Sequence, residues 1–342
     1  MGKSSGYISK IVGCGGMKGI KVSLICTVKN EEFSIREFLD SLLSQSRPPD
    51  EIVLTDGGST DRTVEIIDEY IKNGAPIKLI VAQGNRSVGR NVAIKNTNSD
   101  YIACTDAGVI LDKDWLKNLV EPFQANPNID VVAGWYVLDA ETEFEECLAA
   151  STAPDIKRVD PNTFLPSARS IAFKKEAWKR VGGFPEQFSW NEDTPFDISL
   201  KKAGFRFALA PNAIARWRVS PNLRSVFKQN YLYARGDGEA RLLRKYPFYF
   251  VFYIGSIVLF AASFWYSLAW GILLASWTAY FVRAIRKAFK SKKSWRVVFK
   301  VPIIKITIDL ALIAGFFRGY LFSKQLLARL SELLGFEVRG EK

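Results

Sequence analysis

The chain has 342 residues, 48% hydrophobic and 24% charged, with 47 Lys or Arg against 35 acids and no histidine. That composition excludes a disordered or fibrous class, and the missing histidine excludes a His-based triad, a His-ligated metal and a His proton shuttle. The net charge of +12 is uneven: residues 213–300 carry 16 Lys or Arg against two acids, whereas residues 1–212 carry 25 against 29. Basic charge flanking an apolar segment points to a membrane and its anionic head groups, and away from nucleic acid. Cys14, Cys26, Cys104 and Cys147 show no paired metal spacing and read as free thiols in a reducing compartment. Residues 1–21 lack a secretory apolar region, so the catalytic part is expected in the cytosol.

From residue 22 onward short apolar runs alternate with amphipathic stretches, the pattern of βα units around a mainly parallel sheet. Residues 22–28 predict a strand, and 34–44 a helix capped by Ser34 with Ile35, Phe38, Leu39 and Leu42 at helical spacing. A strand at 52–56 leads to a helix that starts at Ser59 or Thr60 and ends near Asn73-Gly74. Further strands are predicted at 77–82, 101–106 and 130–134, with helices near 87–95 and 114–124. After Glu141 the regularity breaks; Pro154, Pro161 and Pro166 mark a loop before an extended stretch at 170–173, and a helix at 191–203 is ended by Gly204. Thr27, Asp56 and Asp106 all fall at strand ends, where open α/β sheets bind ligands.

The catalytic domain is expected to span 21–212, after an N-terminal extension at 1–20. Residues 213–247 read as an amphipathic interfacial segment and 248–322 as a transmembrane region, since 248–282 hold no charged side chain and about 20 apolar residues suffice to cross a bilayer. Two antiparallel spans, 248–265 and 268–282, turning near Trp265-Tyr266-Ser267, would keep both basic flanks on one side. Residues 283–300 then read as a basic interfacial segment. A weaker third span at 301–322 is interrupted by Lys305, Asp309 and Arg318. Lys305 and Asp309, four apart, either neutralise each other or leave Lys305 to a lipid phosphate. Residues 323–342 read as an amphipathic tail. The expectation is a multi-pass membrane protein with a cytoplasmic catalytic domain.

The sharpest motif is Asp56-Gly57-Gly58-Ser59-Thr60-Asp61, where a strand ends in an acid and turns through two glycines that permit close backbone approach to a ligand; the next helix N-terminus favours an anion. It stands in a series with Cys26-Thr27-Val28-Lys29-Asn30-Glu31-Glu32, Gln45, Pro48-Pro49-Asp50-Glu51-Ile52, Gly89-Arg90-Asn91, Thr105-Asp106-Ala107-Gly108 and Trp190-Asn191-Glu192-Asp193. Over about residues 21–240 that series resembles family 2 glycosyltransferases of the GT-A fold, and specifically membrane-bound cellulose-synthase-like and archaeal lipid-linked members. The resemblance implies an α/β nucleotide-diphospho-sugar transferase domain with a mainly parallel central sheet, to which the tail adds interfacial helices and about three transmembrane helices.

The same resemblance implies donor binding by Thr27, Asn30, Glu31, Asp56 and Gly58, with Asp56 reading the base, and by Arg90 near the diphosphate. Asp106 would hold Mn2+ or Mg2+, although position 108, the second acid of the family's DxD motif, is Gly. Arg169 and Ser170, in Ser167-Ala168-Arg169-Ser170, would line the sugar pocket. Asp193, beside Glu192, would be the base that takes the acceptor proton. Gln229 and Arg235 lie in a segment similar to the Gln-x-x-Arg-Trp element of cellulose-synthase-like members, without its spacing or its Trp; with Trp190 they are expected at the acceptor or diphosphate. An interfacial helix showing Trp217, Phe227 and Tyr231 to lipid would read the same. The expected function is metal-assisted, inverting transfer of a hexosyl group, mannose from GDP-mannose by preference. The acceptor would be a polyprenyl (dolichyl) phosphate or a lipid-linked glycan, in glycan or N-glycan precursor synthesis. A processive polysaccharide synthase using a UDP-sugar and a non-catalytic nucleotide-binding scaffold remain as alternatives.

Overall fold

A computed structural model describes residues 19–160, 163–292 and 294–323. Nearly all of the N-terminal extension with Cys14, Pro161 in the proline-marked loop, and the tail from 324 lie outside the described residues. Strands β1 (Val22–Val28), β2 (Glu51–Asp56), β3 (Ile77–Val81) and β4 (Tyr101–Asp106) pair in parallel. Strands β5 (Val109–Leu111), β6 (Val131–Asp139), β7 (Ile171–Lys174) and β8 (Phe207–Arg218) extend them into an eight-stranded sheet of order β3-β2-β1-β4-β7-β6-β8-β5. There β7 runs antiparallel to β4 and β6, β5 antiparallel to β8, and β6 parallel to β8.

Alternation along the strands supplies a core on each face. Leu24, Cys26 and Leu54 face α1 (Ile35–Leu43), α2 (Thr63–Lys72) and α4 (Trp115–Ala125), whereas Ile25, Val53 and Cys104 face α3 (Arg86–Lys95), α6 (Lys175–Arg180) and α7 (Asp193–Lys202). The described thiols Cys26, Cys104 and Cys147 are free and buried, and burial pushes that of Cys104 up to about 12.

Four local expectations are corrected. Ser34 does not cap α1; its hydroxyl donates to the Glu31 carboxylate at 2.6 Å. Helix α2 starts only at Thr63, because residues 59–62 are engaged in bonds to the loop after β1. The stretch after Glu141 contains α5 (Glu143–Thr152), opened by a capping box between Thr142 and Glu145. And β8 runs across the expected boundary at 212, so the sheet extends to Arg218.

A third core joins α5 to α8 (Leu223–Glu239) and α11 (Val297–Leu321). Helices α8 and α11 touch backbone to backbone: a Cβ on Gly315 or Gly319 would stand 2.2 or 2.0 Å from the carbonyl oxygen of Tyr231 or Arg235. Between them, α9 (Tyr246–Ala262) and α10 (Ser267–Ser291) pack against each other as a helical hairpin. Phe252 packs on Tyr280 and Phe260 on Trp270, and the Trp277 indole donates to Ser256 at 3.1 Å. Among the described residues one helix, Ser267–Lys290, is long and apolar enough to cross a membrane. Helix α9, at 17 residues, reaches about 26 Å against a hydrocarbon core of about 30 Å. Helix α10 continues past Val282 to Ser291, so the first half of the expected interfacial segment is the basic end of that helix. The stretch expected as a third span is α11, whose buried face, Val301, Ile304, Ile308 and Leu312 included, packs in the third core. Within it Asp309 is fully buried and pairs with Lys305, and it also accepts from the hydroxyls of Tyr280 and, at 3.2 Å, Tyr253.

Candidate active site

Register brings the strand-end residues together: Thr27 lies beside Asp106 and Val28 beside Asp56. The Asp56 carboxylate turns into its own loop, accepting from the amides of Gly58 (3.0 Å) and Ser59 (3.1 Å) and from the Ser59 hydroxyl (2.6 Å). Gly58 has φ +87°, a conformation that favours glycine. Asn30 and Glu31 stitch this loop to the one after β1: the Asn30 side chain accepts from the Thr60 amide (2.9 Å), and the Glu31 amide donates to the Thr63 hydroxyl (2.7 Å). Burial pushes the Glu31 carboxyl up, against the Ser34 hydrogen bond that lowers it.

Helix α3 lies over these strands because residue 89 is Gly; a Cβ there would stand 2.6 Å from Thr27 Cγ2. One residue on, the Arg90 side chain is 1% exposed and bridges the site, donating to Asp106 at 2.8 Å and to Glu192. Burial works against its charge, but Glu192 and Asp106 outweigh burial and hold it charged. Burial likewise raises the Asp106 carboxyl, yet Arg90, Arg169 and Arg86 together hold it below its usual range. Asn91 accepts from the Trp178 indole (3.0 Å) and the Phe184 amide (2.9 Å), fixing the loop that leads to Glu192.

On the opposite wall Asp193 opens α7, its oxygens accepting from the amides of Ala168 (3.2 Å) and Thr194 (2.9 Å). Burial, then the Glu192 charge, push its carboxyl up. One turn further, Asp197 is fully buried, and neither of its oxygens has a hydrogen-bond partner in the described structure. Arg169 stacks 3.8 Å over Trp217, takes the Tyr233 hydroxyl as acceptor at 2.8 Å and comes within 3.9 Å of Asp106. A cavity of about 240 Å³ is enclosed by Arg86, Arg90, Asp106, Arg169, Glu192 and Asp193, with Trp135, Tyr136 and Tyr233 around them.

Not every expected residue reaches this cavity. The Ser170 hydroxyl is buried, accepting from the Trp115 indole (2.8 Å) and donating to the Ala213 carbonyl (2.9 Å), so it ties β7 to the core instead of lining a sugar pocket. Gln229 lines a neighbouring cavity and takes the Ser220 hydroxyl at 3.1 Å. Arg235 pairs with Glu239 at 2.9 Å, away from the diphosphate end. Trp190 lies under Arg86, 4.7 Å from the guanidinium carbon, at the cavity margin. Trp217 belongs to β8 and packs on Arg169, so it does not face lipid from a helix. The residues missed are Arg86, Tyr136 and Tyr233. Tyr233 was legible from spacing, since residues six apart on a helix, like Gln229 and Arg235, point about 120° apart, whereas Tyr233 falls one turn from Gln229 on the same face.

Residues 23–210 match the profile described as Glycosyl transferase family 2, more than half of the chain. The chain is a family 2 glycosyltransferase. It is 26% identical to a dolichyl N-acetyl-alpha-D-glucosaminyl phosphate 3-beta-D-2,3-diacetamido-2,3-dideoxy-beta-D-glucuronosyltransferase of Methanococcus voltae, over 87% of this chain and 96% of that protein. It is 29% identical to a poly-beta-1,6-N-acetyl-D-glucosamine synthase of Staphylococcus epidermidis over 66% of this chain, and spans 56% of that longer protein. Its fold matches a mannosyltransferase from Pyrobaculum calidifontis in complex with GDP-Man and Mn2+, with TM-score 0.55 at 20% identity, covering 87% and 86% of the two chains.

For this family 2 transferase, the donor set limits what a cation would find. Among the described residues no group of three or more Cys, Asp or Glu side chains could hold a metal. Asp106 gives one oxygen to Arg90 and keeps the other toward the cavity, with Arg169 at 3.9 Å. A single carboxylate fits a hard cation whose remaining ligands are phosphate oxygens and water. Gly108 adds no ligand, though a Cβ there would meet nothing within 4 Å.

Proposed function

We propose that this glycosyltransferase moves a sugar from a nucleotide sugar to a hydroxyl of a lipid-linked acceptor, with inversion, at the cytosolic face of a membrane. The observation that carries this reading is the buried Arg90, which joins Asp106 on the sheet to Glu192 beside Asp193 at the start of α7 and so sets an arginine-lined end for the anionic donor opposite a carboxylate that can act as base. The acceptor O–H loses its proton to Asp193 as its oxygen bonds the anomeric carbon, and the bond from that carbon to the diphosphate breaks on the far side. A base with a raised pKa holds that proton better than an ordinary aspartate would. Arg86, Arg90 and Arg169 supply positive charge where the leaving diphosphate gathers negative charge. Asp106 is the residue to hold Mn2+ or Mg2+, which when bound would add Lewis-acid charge to the same oxygens.

The lipid-linked acceptor draws support from the Methanococcus voltae relative, named for adding a sugar to a dolichyl-phosphate-linked sugar, and from the apolar α9–α10 hairpin. GDP-mannose is the donor to try first, the fold match being a mannosyltransferase holding GDP-Man. Asp56, Thr27, Asn30 and Glu31 would form the nucleoside end, with Asp56 holding the loop that the base contacts.

The experiment is to incubate purified protein with a panel of nucleotide sugars, Mn2+, and polyprenyl phosphate or polyprenyl-phosphate-linked sugar, and to measure nucleotide release and lipid product. A phosphate monoester is already ionised near neutrality, with a second pKa of about 6, and needs no base. Asp193→Asn should therefore abolish transfer to the sugar hydroxyl. Undiminished turnover of the variant on bare polyprenyl phosphate would replace the hydroxyl by the phosphate as acceptor. Absence of nucleotide release with every combination would sink the proposal, and a product ladder on a gel would turn it toward the polymerising activity named for the staphylococcal relative.

A further inference from the structure

The catalytic cavity continues into a second space that the reaction as proposed does not use. Strand β6 pairs with β7 only over Val131–Ala133, whereas its pairing with β8 continues to Asp139. Beyond Gly134, whose amide still donates to the Ser170 carbonyl at 2.9 Å, β6 has no further pairing with β7, and α5 packs beside it. Between them is a trough of about 420 Å³, walled by Trp135, Val137 and Leu138 of the strand and by Ala149, Ala150 and Ala153 on the helix side. Its width comes from the alanines: 149 and 153 are one turn apart and leave methyl groups where larger side chains would close the gap. At one end the trough shares Trp135, Tyr136 and Pro154 with the catalytic cavity. At the other it reaches Lys292, which follows α10 and pairs with Glu146 of α5.

Helix α5 is clamped to the membrane-side helices at both ends. Lys287 of α10 donates to the carbonyls of Ser151 (3.0 Å) and Ala153 (2.9 Å), and Arg296 and Lys300 hold Glu143 at 2.6 and 3.2 Å. The trough thus reaches the basic end of the helix long enough to cross a membrane through Lys292, and through Trp135, Tyr136 and Pro154 it adjoins the cavity that Asp193 lines. Apolar side chains along a strand edge, with the charged Lys292–Glu146 pair among the lining and the polar catalytic cavity adjoining through Trp135, Tyr136 and Pro154, suit a chain that leaves the bilayer and carries its reactive head to the catalytic acids, and the volume lies in the range of small-molecule sites.

We propose that the trough between β6 and α5 holds the first isoprene units of the polyprenyl acceptor and delivers its head group to Asp193. This rests on the lipid-acceptor reading above, and occupancy is tested apart from turnover. A polyprenyl phosphate carrying a diazirine in its second or third isoprene unit is photolysed with the full-length protein in detergent micelles, and labelled peptides are mapped. Labelling of 135–140 and 146–154 is expected, falling at least fivefold in Ala149→Trp and Ala153→Trp. Labelling confined to α9 and α10, or loss of labelling on adding excess phospholipid, overturns the proposal, the latter by making the trough a general acyl-chain site.

With the active acceptor, Ala149→Trp should raise KM at least tenfold for a long-chain substrate, while kcat/KM for an acceptor whose lipid is replaced by a methyl group stays within twofold. Equal losses on both substrates overturn the proposal. Should no lipid acceptor turn over while the trough still labels, the functional reading fails and the site stands; turnover without labelling there is the reverse.

Discussion

Replacing Arg90 by Met tests whether the site is held by charge. The Arg90 side chain is 1% exposed and that of Glu192 5%, so the small part of Glu192 that faces the cavity leaves its carboxylate mostly desolvated. Removing one partner of a buried ion pair costs about 3–5 kcal/mol, because the orphaned charge stays desolvated. For a domain of this size each kcal/mol lowers Tm by about 2–4 °C, so the loss should be about 6–20 °C, read by intrinsic Trp fluorescence during heating in detergent. The pH dependence carries the sharper test. In the native protein Asp106 is held below its usual range, so its contribution is present above the unfolded carboxylate value of about 4 and is lost as pH falls through the lower folded value. In Arg90→Met the carboxylates lose that cation and bind protons more readily when folded, so the variant loses stability as pH rises. The gap in Tm should widen from pH 5 to pH 8. Adding Glu192→Gln should recover about 1–3 kcal/mol of it, because one orphaned charge is gone. A gap under 2 °C, or one that does not change with pH, would refute the charge-bridge reasoning.

Asp193→Asn should lower kcat on a hydroxyl acceptor by about 10²–10⁴-fold with donor affinity unchanged by calorimetry, and the acid limb of the native rate profile should lie above that of an ordinary aspartate. Asp197, whose carboxyl burial and then the Asp193 charge push well up, stabilises the fold fully below its unfolded value of about 4 and loses that contribution as pH rises toward the folded value; Asp197→Asn should therefore flatten the decline of Tm with rising pH. Gly108→Asp, entering open space, should tighten Mn2+ binding in the presence of nucleoside diphosphate by calorimetry while stability stays within about 0.5 kcal/mol. Gly319→Val would set a side chain against the Arg235 carbonyl, costing about 1–3 kcal/mol or more, measured as a lower Tm and faster tryptic cleavage at Arg296 and Lys300.

The strand-end half of the site was legible because its residues follow a local rule: a parallel strand ends in a polar residue and hands over to a turn and a helix. Thr27, Asp56 and Asp106 come together through register alone. The other half, around Arg169 and the Glu192-Asp193 pair, is built from long-range contacts that no spacing encodes. Arg169 reaches the site by stacking on Trp217, and it meets Tyr233 from a helix 64 residues away. Ser170, adjacent to Arg169, points the other way because successive residues in an extended chain alternate faces. Helix α5 was hidden because Cys147, Leu148 and Ala150 give it a weak apolar stripe, although Thr142-x-x-Glu145 was a readable start signal. Hydropathy likewise could not separate a membrane span from a helix that buries one face on its neighbour, which is what α11 does against α8.

That division of the site has a mechanistic consequence at Asp237. Fully enclosed on α8, it accepts from the Asn191 side chain at 2.5 Å, from the Tyr246 hydroxyl at 2.7 Å and from Arg244 at 3.3 Å. Asn191 has φ +56° and directly precedes Glu192 and Asp193, and residue 236 is Gly because a Cβ there would stand 2.1 Å from the Trp190 carbonyl oxygen. The segment that presents the base is thus gripped by α8, which is itself docked on α11 and tied through Tyr246 to the first residue of the apolar hairpin. The strands hold the residues assigned to the water-soluble donor, and the membrane-side helices hold the residue assigned to the lipid-borne acceptor. On the proposed function each substrate would be met by a different part of the fold, and Arg90, bonded to both Asp106 and Glu192, is where the two parts are joined.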